Sequence, residues 1–407
     1  MRAEPRPGTE HSAERISSSV ASRGLPPLGL YVHLPWCVRK CPYCDFNSHA
    51  LKDDLPADAY VDALLADLEQ DLPLVWGRTV STVYFGGGTP SLFDAEQIGR
   101  LLDGLRARIG FAPGLEVTLE ANPGTIERDS FSAYRAAGVN RVSLGAQSFN
   151  DDSLRALGRI HGAGDIHRAV ASLHDAGLDN FNIDLMFGLP GQDLSMALED
   201  LRQGLAAEPT HLSHYQLTLE PNTAFAASPP VLPDDERCWS MQEQCAELLV
   251  EAGFEQYEIS AWSRPGRESR HNLNYWGFGD YLGIGAGAHG KLTLPAEERV
   301  LRRVKTRHPR RYLAGDRLAQ DEAVAPGELA FQYFLNALRL RRGFTLEGFA
   351  ARTGLEKTWI ERPLGEALER GLLEPVDGGF RPSELGWRVS NDLQALFLPE
   401  NDEQADA

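Results

Sequence analysis

The sequence predicts an α/β protein: a partial barrel of six strand–helix units followed by a small helical, winged-helix-like C-terminal domain. Three observations lead there. Between residues 30 and 259, short β-rich runs alternate with longer helical patterns. Gly138 and Gly177 each stand where a helix must stop before the next strand, as a C-terminal cap requires. The residues with chemistry to offer fall at the carboxyl ends of the expected strands, where parallel α/β folds assemble their sites.

Taken in order, strands are expected at 30–34, 82–85, 116–120, 141–146, 181–186 and 211–217. Helices are expected near 57–70, 95–109, 129–137, 166–176, 196–207 and 236–252. A closed barrel takes about eight such units, so these imply a partial one. A cysteine loop follows the first strand, and Gly86-Gly87-Gly88-Thr89-Pro90 follows the second. Glu120 ends the third, Gln147 follows the fourth, and Asp184 lies near the end of the fifth. Five such placements imply convergence on one site.

Beyond residue 259 the alternation breaks. Residues 264–290, rich in Gly, Asn and aromatic side chains, read as loop. Helical patterns return at 329–340, 346–353 and 359–370, and 371–381 reads as a short strand hairpin. Residues 1–27 mix charges with Ser, Pro and Gly and have no apolar h-region, so they read as a disordered leader and not as a secretory signal. The expected domains are therefore 28–312 for the barrel and the segment after it, 320–398 for the helical domain, and 399–407 for a mobile acidic tail.

Composition narrows the function. A formal charge of −18 argues against general nucleic-acid binding, which needs a basic face for phosphates. No stretch approaches the roughly 20 apolar residues of a membrane-spanning helix. The five cysteines are an odd count, with three packed into residues 37–44, which is unlike a secreted disulfide framework and points to a reducing, cytoplasmic compartment.

Cys37-x3-Cys41-x2-Cys44 carries the most information. Thiolates hold zinc or iron–sulfur clusters, and structural zinc takes four protein ligands, usually as paired C-x2-C. Three thiolates instead satisfy three irons of a [4Fe–4S] cubane and leave the fourth iron open. In radical S-adenosylmethionine (SAM) chemistry that position takes the amino and carboxylate groups of SAM. A zinc site completed by His33 or His49, or a set of reactive thiols, is the competing reading. Cys238 and Cys245, seven apart in a helical pattern, read as small core residues.

The run Tyr31-Val-His33-Leu-Pro35-Trp36-Cys37-Val-Arg-Lys-Cys41-Pro-Tyr43-Cys44-Asp-Phe46 resembles the oxygen-independent coproporphyrinogen III oxidase superfamily, and within it the haem-chaperone branch. The resemblance spans about residues 30–398. It implies a radical SAM barrel, a cluster on Cys37, Cys41 and Cys44, and SAM contacts from Tyr31, Tyr43, Phe46, Gly87, Gly88, Thr89, Glu120, Gln147, Arg159 and Asp184. Glycine in the Gly86–Gly88 motif would let the backbone approach SAM closely with free N–H groups; a tight turn would use it equally. Arg159 could clamp a cofactor carboxylate, or be an ordinary surface ion pair.

Three features separate the branches. The oxidases end their motif Cys-x-Cys, whereas here Phe46 takes the last position. The leader before Leu28 is short beside the N-terminal segment of the oxidases. His271-Asn272-Leu-Asn-Tyr275-Trp276 matches the HNxxYW motif that the chaperone branch associates with haem. An imidazole can ligate iron while Tyr275 and Trp276 offer flat apolar surface; a local hydrogen-bonding role is the plainer alternative. His289 is a second candidate.

The resemblance thus implies a haem chaperone that carries haem as cargo to an acceptor protein, which could be membrane-associated. The chain itself could be peripheral at a membrane or form a homodimer. The alternative is radical SAM oxidative decarboxylation of coproporphyrinogen III, and a zinc-stabilised interaction protein is a third reading. The basic run Arg299, Arg302, Arg303, Lys305, Arg307, Arg310 and Arg311 reads as a solvated linker, with haem propionates, anionic membrane or an acceptor as other uses.

Overall fold

The computed structural model describes residues 24–124 and 130–399. The expected leader (apart from 24–27), residue 129 and the acidic tail beyond 399 lie outside the described residues. Six parallel strands stand side by side in sequence order: β1 (Leu28–Leu34), β2 (Thr79–Gly87), β3 (Gly110–Ala121), β4 (Arg141–Gln147), β5 (Phe181–Phe187) and β6 (His211–Gln216). The helices between them include α1 (Ala57–Asp71), α2 (Ala95–Arg106), α3 (Phe131–Ala136), α4 (Asp151–Ala156), α5 (Ala163–Asp175), α6 (Leu194–Ala206) and α7 (Asp235–Glu251). This is the expected partial barrel.

Local rules explain each unit. Asp94 and Gln97 form a reciprocal capping box at the start of α2, whose Ile98, Leu101, Leu102 and Leu105 are buried on one face. Gly138 and Gly177 take φ of 113° and 64°, the left-handed conformation that ends a helix without a Cβ clash. On the strands the period of two divides the sheet. Val142, Leu144, Ile183, Leu185 and Leu212 belong to the main apolar core, whereas Arg141, Ser143, Asn182, Asp184 and Ser213 line a cavity. The barrel interior is therefore polar. Cys238 and Cys245 are buried on α7, as small core residues should be.

After β6 the structure departs from the sequence reading. Residues 264–290 are not a loop: they hold the helix α8 (Arg270–Trp276), capped by Ser269, and a strand at 280–284. Six further strands extend the sheet, β7 (Glu255–Gln256), β8 (Ala261–Ser263), β9 (Asp280–Ile284), β10 (His289–Leu294), β11 (Arg299–Lys305) and β12 (Leu318–Ala323). The 12-stranded order is β12-β11-β10-β9-β1-β2-β3-β4-β5-β6-β8-β7. β9 is parallel to β1, with Leu28 opposite Asp280 and Val32 opposite Ile284. Short, glycine-bearing strands carry too little periodicity to stand out from a loop.

The basic run is likewise not a solvated linker. Its first part is β11, and Lys305 is 2% exposed. Lys305 Nζ lies 2.6 Å from Asp67 and 2.8 Å from Asp71 of α1, and Arg303 lies 2.6 Å from Asp71. A second buried network joins Asp280 of β9 to Arg78 at 2.7 Å and Lys291 at 2.9 Å. Charges this deep ordinarily persist by pairing.

The C-terminal region has its own core around Phe334, Phe344, Phe349 and Phe397. Helices α9 (Pro326–Ala337), α10 (Leu346–Thr353) and α11 (Glu361–Glu369) pack beside a three-stranded sheet of β13 (Phe344–Thr345), β14 (Leu373–Val376) and β15 (Gly379–Pro382) in the order β13-β15-β14. Helices with a small wing match the winged-helix-like expectation. Among the described residues, no helix is long and apolar enough to cross a membrane.

Candidate radical SAM and haem site

The three cysteines follow β1 in a loop that lines a cavity of about 160 Å³ at the carboxyl end of the strands. No disulfide joins them. The loop is tied down from several sides. His49 N donates to Pro35 O at 2.7 Å, and Asn47 Nδ2 donates to Ala286 O and Arg307 O at 2.9 Å each. His33 is committed within the protein: Nε2 donates to Asn47 O at 2.9 Å, and Nδ1 accepts from the Tyr31 hydroxyl at 3.0 Å. That leaves it no lone pair for zinc, and His49 does not line the cavity.

The glycine motif lines the same cavity, for a reason other than the expected free N–H groups. Gly87 N donates to Glu120 Oε2 at 3.1 Å, Gly88 N to Leu34 O at 2.9 Å, and Thr89 N to Trp36 O at 2.7 Å. Glycine is needed for close packing against the cysteine loop. A Cβ on Gly88 would stand 2.5 Å from Trp36 O, and one on Gly87, with φ of 118°, would meet the His33 ring at 2.6 Å.

Opposite stand the carboxylates and their partners. Glu120 accepts from Tyr84 Oη at 2.9 Å, and burial, reinforced by nearby Asp184, pushes its pKa up to about 7. Asp184 accepts from Asn182 Nδ2 at 2.7 Å, and burial likewise raises its pKa. Arg159 is not a surface ion pair. It donates to Asn122 Oδ1 at 2.5 Å and Gly145 O at 2.6 Å, and lies 3.6 Å from Cys41 Sγ.

Gln147 closes β4 with φ of 71°, a strained conformation for a side chain of its size, and accepts from Tyr215 Oη at 2.7 Å. Sequence reasoning missed what holds that turn. Asp200 of α6 accepts from Ser148 Oγ and Phe149 N, each at 2.7 Å. The structure brings Tyr43, Phe46, Gly87, Gly88, Thr89, Glu120, Gln147, Arg159 and Asp184 to the cysteine cavity. Tyr31 lies one cavity away.

Two larger cavities, of about 510 and 400 Å³, adjoin this one through Phe46 and Glu120. Both are lined by His271 and Tyr275, one helical turn apart on α8; Trp276 lines the larger and His289 the smaller. Glu116 fixes the start of α8 by accepting from Arg270 N and His271 N. The His271 ring stacks on Tyr84 with centroids 4.6 Å apart, and burial lowers its pKa to about 4, which keeps the imidazole neutral. Its Nδ1 is buried without a partner. Trp276 is not a bare apolar surface: Arg339 sits 4.3 Å above its ring.

A partial six-unit barrel with a three-thiol loop at its mouth defines a radical SAM protein. The Radical SAM superfamily model matches residues 31–203, and the HemN C-terminal domain model matches residues 324–389. Over 376 residues the chain is 51% identical to the haem chaperone HemW of Escherichia coli (strain K12), covering 92% of this chain and 99% of that protein. It is 47% identical over 380 residues to HemW of Haemophilus influenzae, with 92% and 99% covered. It is 38% identical over 360 residues to HemW of Mycobacterium tuberculosis (strain H37Rv), with 86% and 89% covered. The chain belongs to the HemW haem-chaperone family. Its fold is also that of E. coli coproporphyrinogen III oxidase (HemN), a radical SAM enzyme, at a TM-score of 0.77 and 24% identity over 93% of this chain and 92% of that one.

Proposed function

We propose that this chain is a haem chaperone, which binds haem as cargo and passes it to an acceptor protein. The likeness to HemW along 92% of the chain carries the reading. The donor sets support it. Cys37, Cys41 and Cys44 are free thiols on one cavity, and the superfamily implies a [4Fe–4S] cluster and SAM. Such a cluster, held by three thiolates, keeps one iron open for the amino and carboxylate groups of SAM.

The chain's own residues would do the rest. Glu120 and Asp184 offer carboxylates to the amino and sugar groups of SAM, and Arg159 offers a guanidinium beside Cys41. Gln147 is held in place by the Asp200 clamp on the turn after it. Gly87, Gly88 and Thr89 wall the cavity; Tyr43 and Phe46 line it, and Tyr31 stands behind Glu120. His271, neutral and with an unpartnered ring nitrogen, suits an axial ligand of haem iron, with Tyr275 and Trp276 alongside. Phe46, in the position where the oxidases carry a further cysteine, is 61% exposed at the rim shared by the cavities.

The test is an anaerobic incubation of the cluster-loaded protein with SAM, a reductant and coproporphyrinogen III, read by mass spectrometry, beside a haem titration. Stoichiometric haem binding with unchanged porphyrinogen is expected, and His271→Ala should weaken the Soret change. Decarboxylated porphyrinogen would make the chain an oxidase instead.

A further inference from the structure

Arg141, the first residue of β4, points into the polar interior of the barrel and is 2% exposed. A guanidinium stays charged at any pH a protein survives. Buried cations ordinarily have a carboxylate partner, since several kcal/mol of lost hydration must be offset (roughly, by Born reasoning). Arg141 has none. Its Nε lacks any hydrogen-bond partner, and no ion pair forms to it among the described residues.

The carboxylates of the same cavity are engaged elsewhere. Glu120 takes Tyr84 and Gly87, Asp184 takes Asn182, and Glu258 takes Arg339 at 3.0 Å. Both nitrogens of His211 are used, on Asn182 and Tyr257. Arg141 is thus the one Arg or Lys among the described residues lining this 510 Å³ space. Among the described residues, the other buried side-chain polar atoms of this lining without a hydrogen-bond partner are His271 Nδ1 and Trp276 Nε1. A cavity that presents a guanidinium without a contacting carboxylate, beside a neutral imidazole with an unpartnered nitrogen, suits a ligand bearing both a metal and a carboxylate.

We propose that Arg141 seats a propionate of the haem whose iron faces His271, and so fixes the orientation of the cargo inside the barrel. The inference rests on the haem-chaperone reading and adds a specific anchor to it. An anchor of this kind binds the carboxylate through paired N–H donors. The raised pKa of Glu120 lessens the repulsion that an entering carboxylate meets.

The test compares the full-length protein with Arg141→Gln and Arg141→Lys, each titrated with haem and with iron protoporphyrin dimethyl ester, whose propionates carry no charge. The native chain should prefer haem to the diester roughly ten- to hundredfold. Arg141→Gln should bind both with the weaker affinity, and Arg141→Lys should keep part of the preference. Thermal melting of apo Arg141→Gln should stay close to native, because the change breaks no hydrogen bond or ion pair, and the attraction lost at Asp184 is offset by relief of the buried charge.

A Gln variant that keeps the native preference, or a native chain that shows none while still binding haem, overturns the propionate seat and leaves the haem-chaperone reading standing. A native chain that binds neither compound overturns both. Weakened SAM binding in Arg141→Gln with the haem preference intact would give the seat to SAM's carboxylate, and overturns the assignment to haem.

Discussion

Replacing Lys305 with Met should loosen the cysteine loop from the far side of the sheet. Lys305 Nζ serves two buried carboxylates, Asp67 at 2.6 Å and Asp71 at 2.8 Å. Asp71 keeps Arg303 at 2.6 Å, while Asp67 keeps only the Tyr312 hydroxyl at 2.7 Å and Gly285 N at 3.1 Å. One carboxylate therefore loses its only cation. Breaking a buried pair costs about 3–5 kcal/mol, and the retained Arg303 places this case near 3. With an unfolding entropy of about 2.1 cal/mol/K per residue over the whole chain, that is a fall in Tm of about 3–4 °C.

The effect should reach the cluster. Gly285 and Ala286 are held by Asp67 and Tyr60, and Ala286 O in turn holds Asn47 of the cysteine loop. Calorimetry of apo protein and iron content after desalting are the assays. Arg310→Met, at an exposed position of the same run, should stay within about 0.5 kcal/mol. Asp67→Asn in the Lys305→Met background should recover part of the loss by removing the unpaired charge. Lys305→Met behaving like Arg310→Met, with full iron, would refute the coupling of Lys305 to the cysteine loop.

Three further outcomes are expected. Cys41→Ala should abolish the cluster, seen as loss of iron, sulfide and brown absorption; full retention would sink the ligand assignment. Gly88→Ala should push Trp36 and the adjoining Cys37 aside, costing about 1–3 kcal/mol and lowering iron content; an unchanged melt with full iron would show that the loop yields freely. Burial lowers the pKa of His214, which stacks on Phe187, to about 4. The unfolded chain protonates His214 near 6.5, so its contribution is intact above that pH and is lost as pH falls toward 4, by up to about 3 kcal/mol. His214→Gln should flatten this limb of a pH–stability curve, and an unaltered slope would contradict it.

The barrel was legible because its signals are local. Strand runs, helical periodicity and the caps at Gly138 and Gly177 are written within a few residues of where they act. The cysteine cavity was legible through motif placement at strand ends. The barrel's polar lining left a fainter mark, polar side chains at every second position in 141–143, 182–184 and 211–215, which only the topology turns inward. Lys305 and Arg303 deceived because charge in a sequence says nothing of its partners, and Asp67 and Asp71 lie more than 230 residues away. The glycine motif was rightly placed for the wrong reason: what crowds Gly88 is the backbone of Trp36, a neighbour in space alone.

The brace on Asn47 also sets an order of events during synthesis. Its partners, Ala286 O and Arg307 O, lie 239 and 260 residues downstream. At roughly 5–20 residues per second, the ribosome releases the three cysteines about 13–50 s before it has made the segment that steadies them. Through that interval the nascent chain displays thiols with no finished pocket around them. A ribosome stalled before residue 286 would therefore present the three thiols in a loop that lacks both of these Asn47 ties.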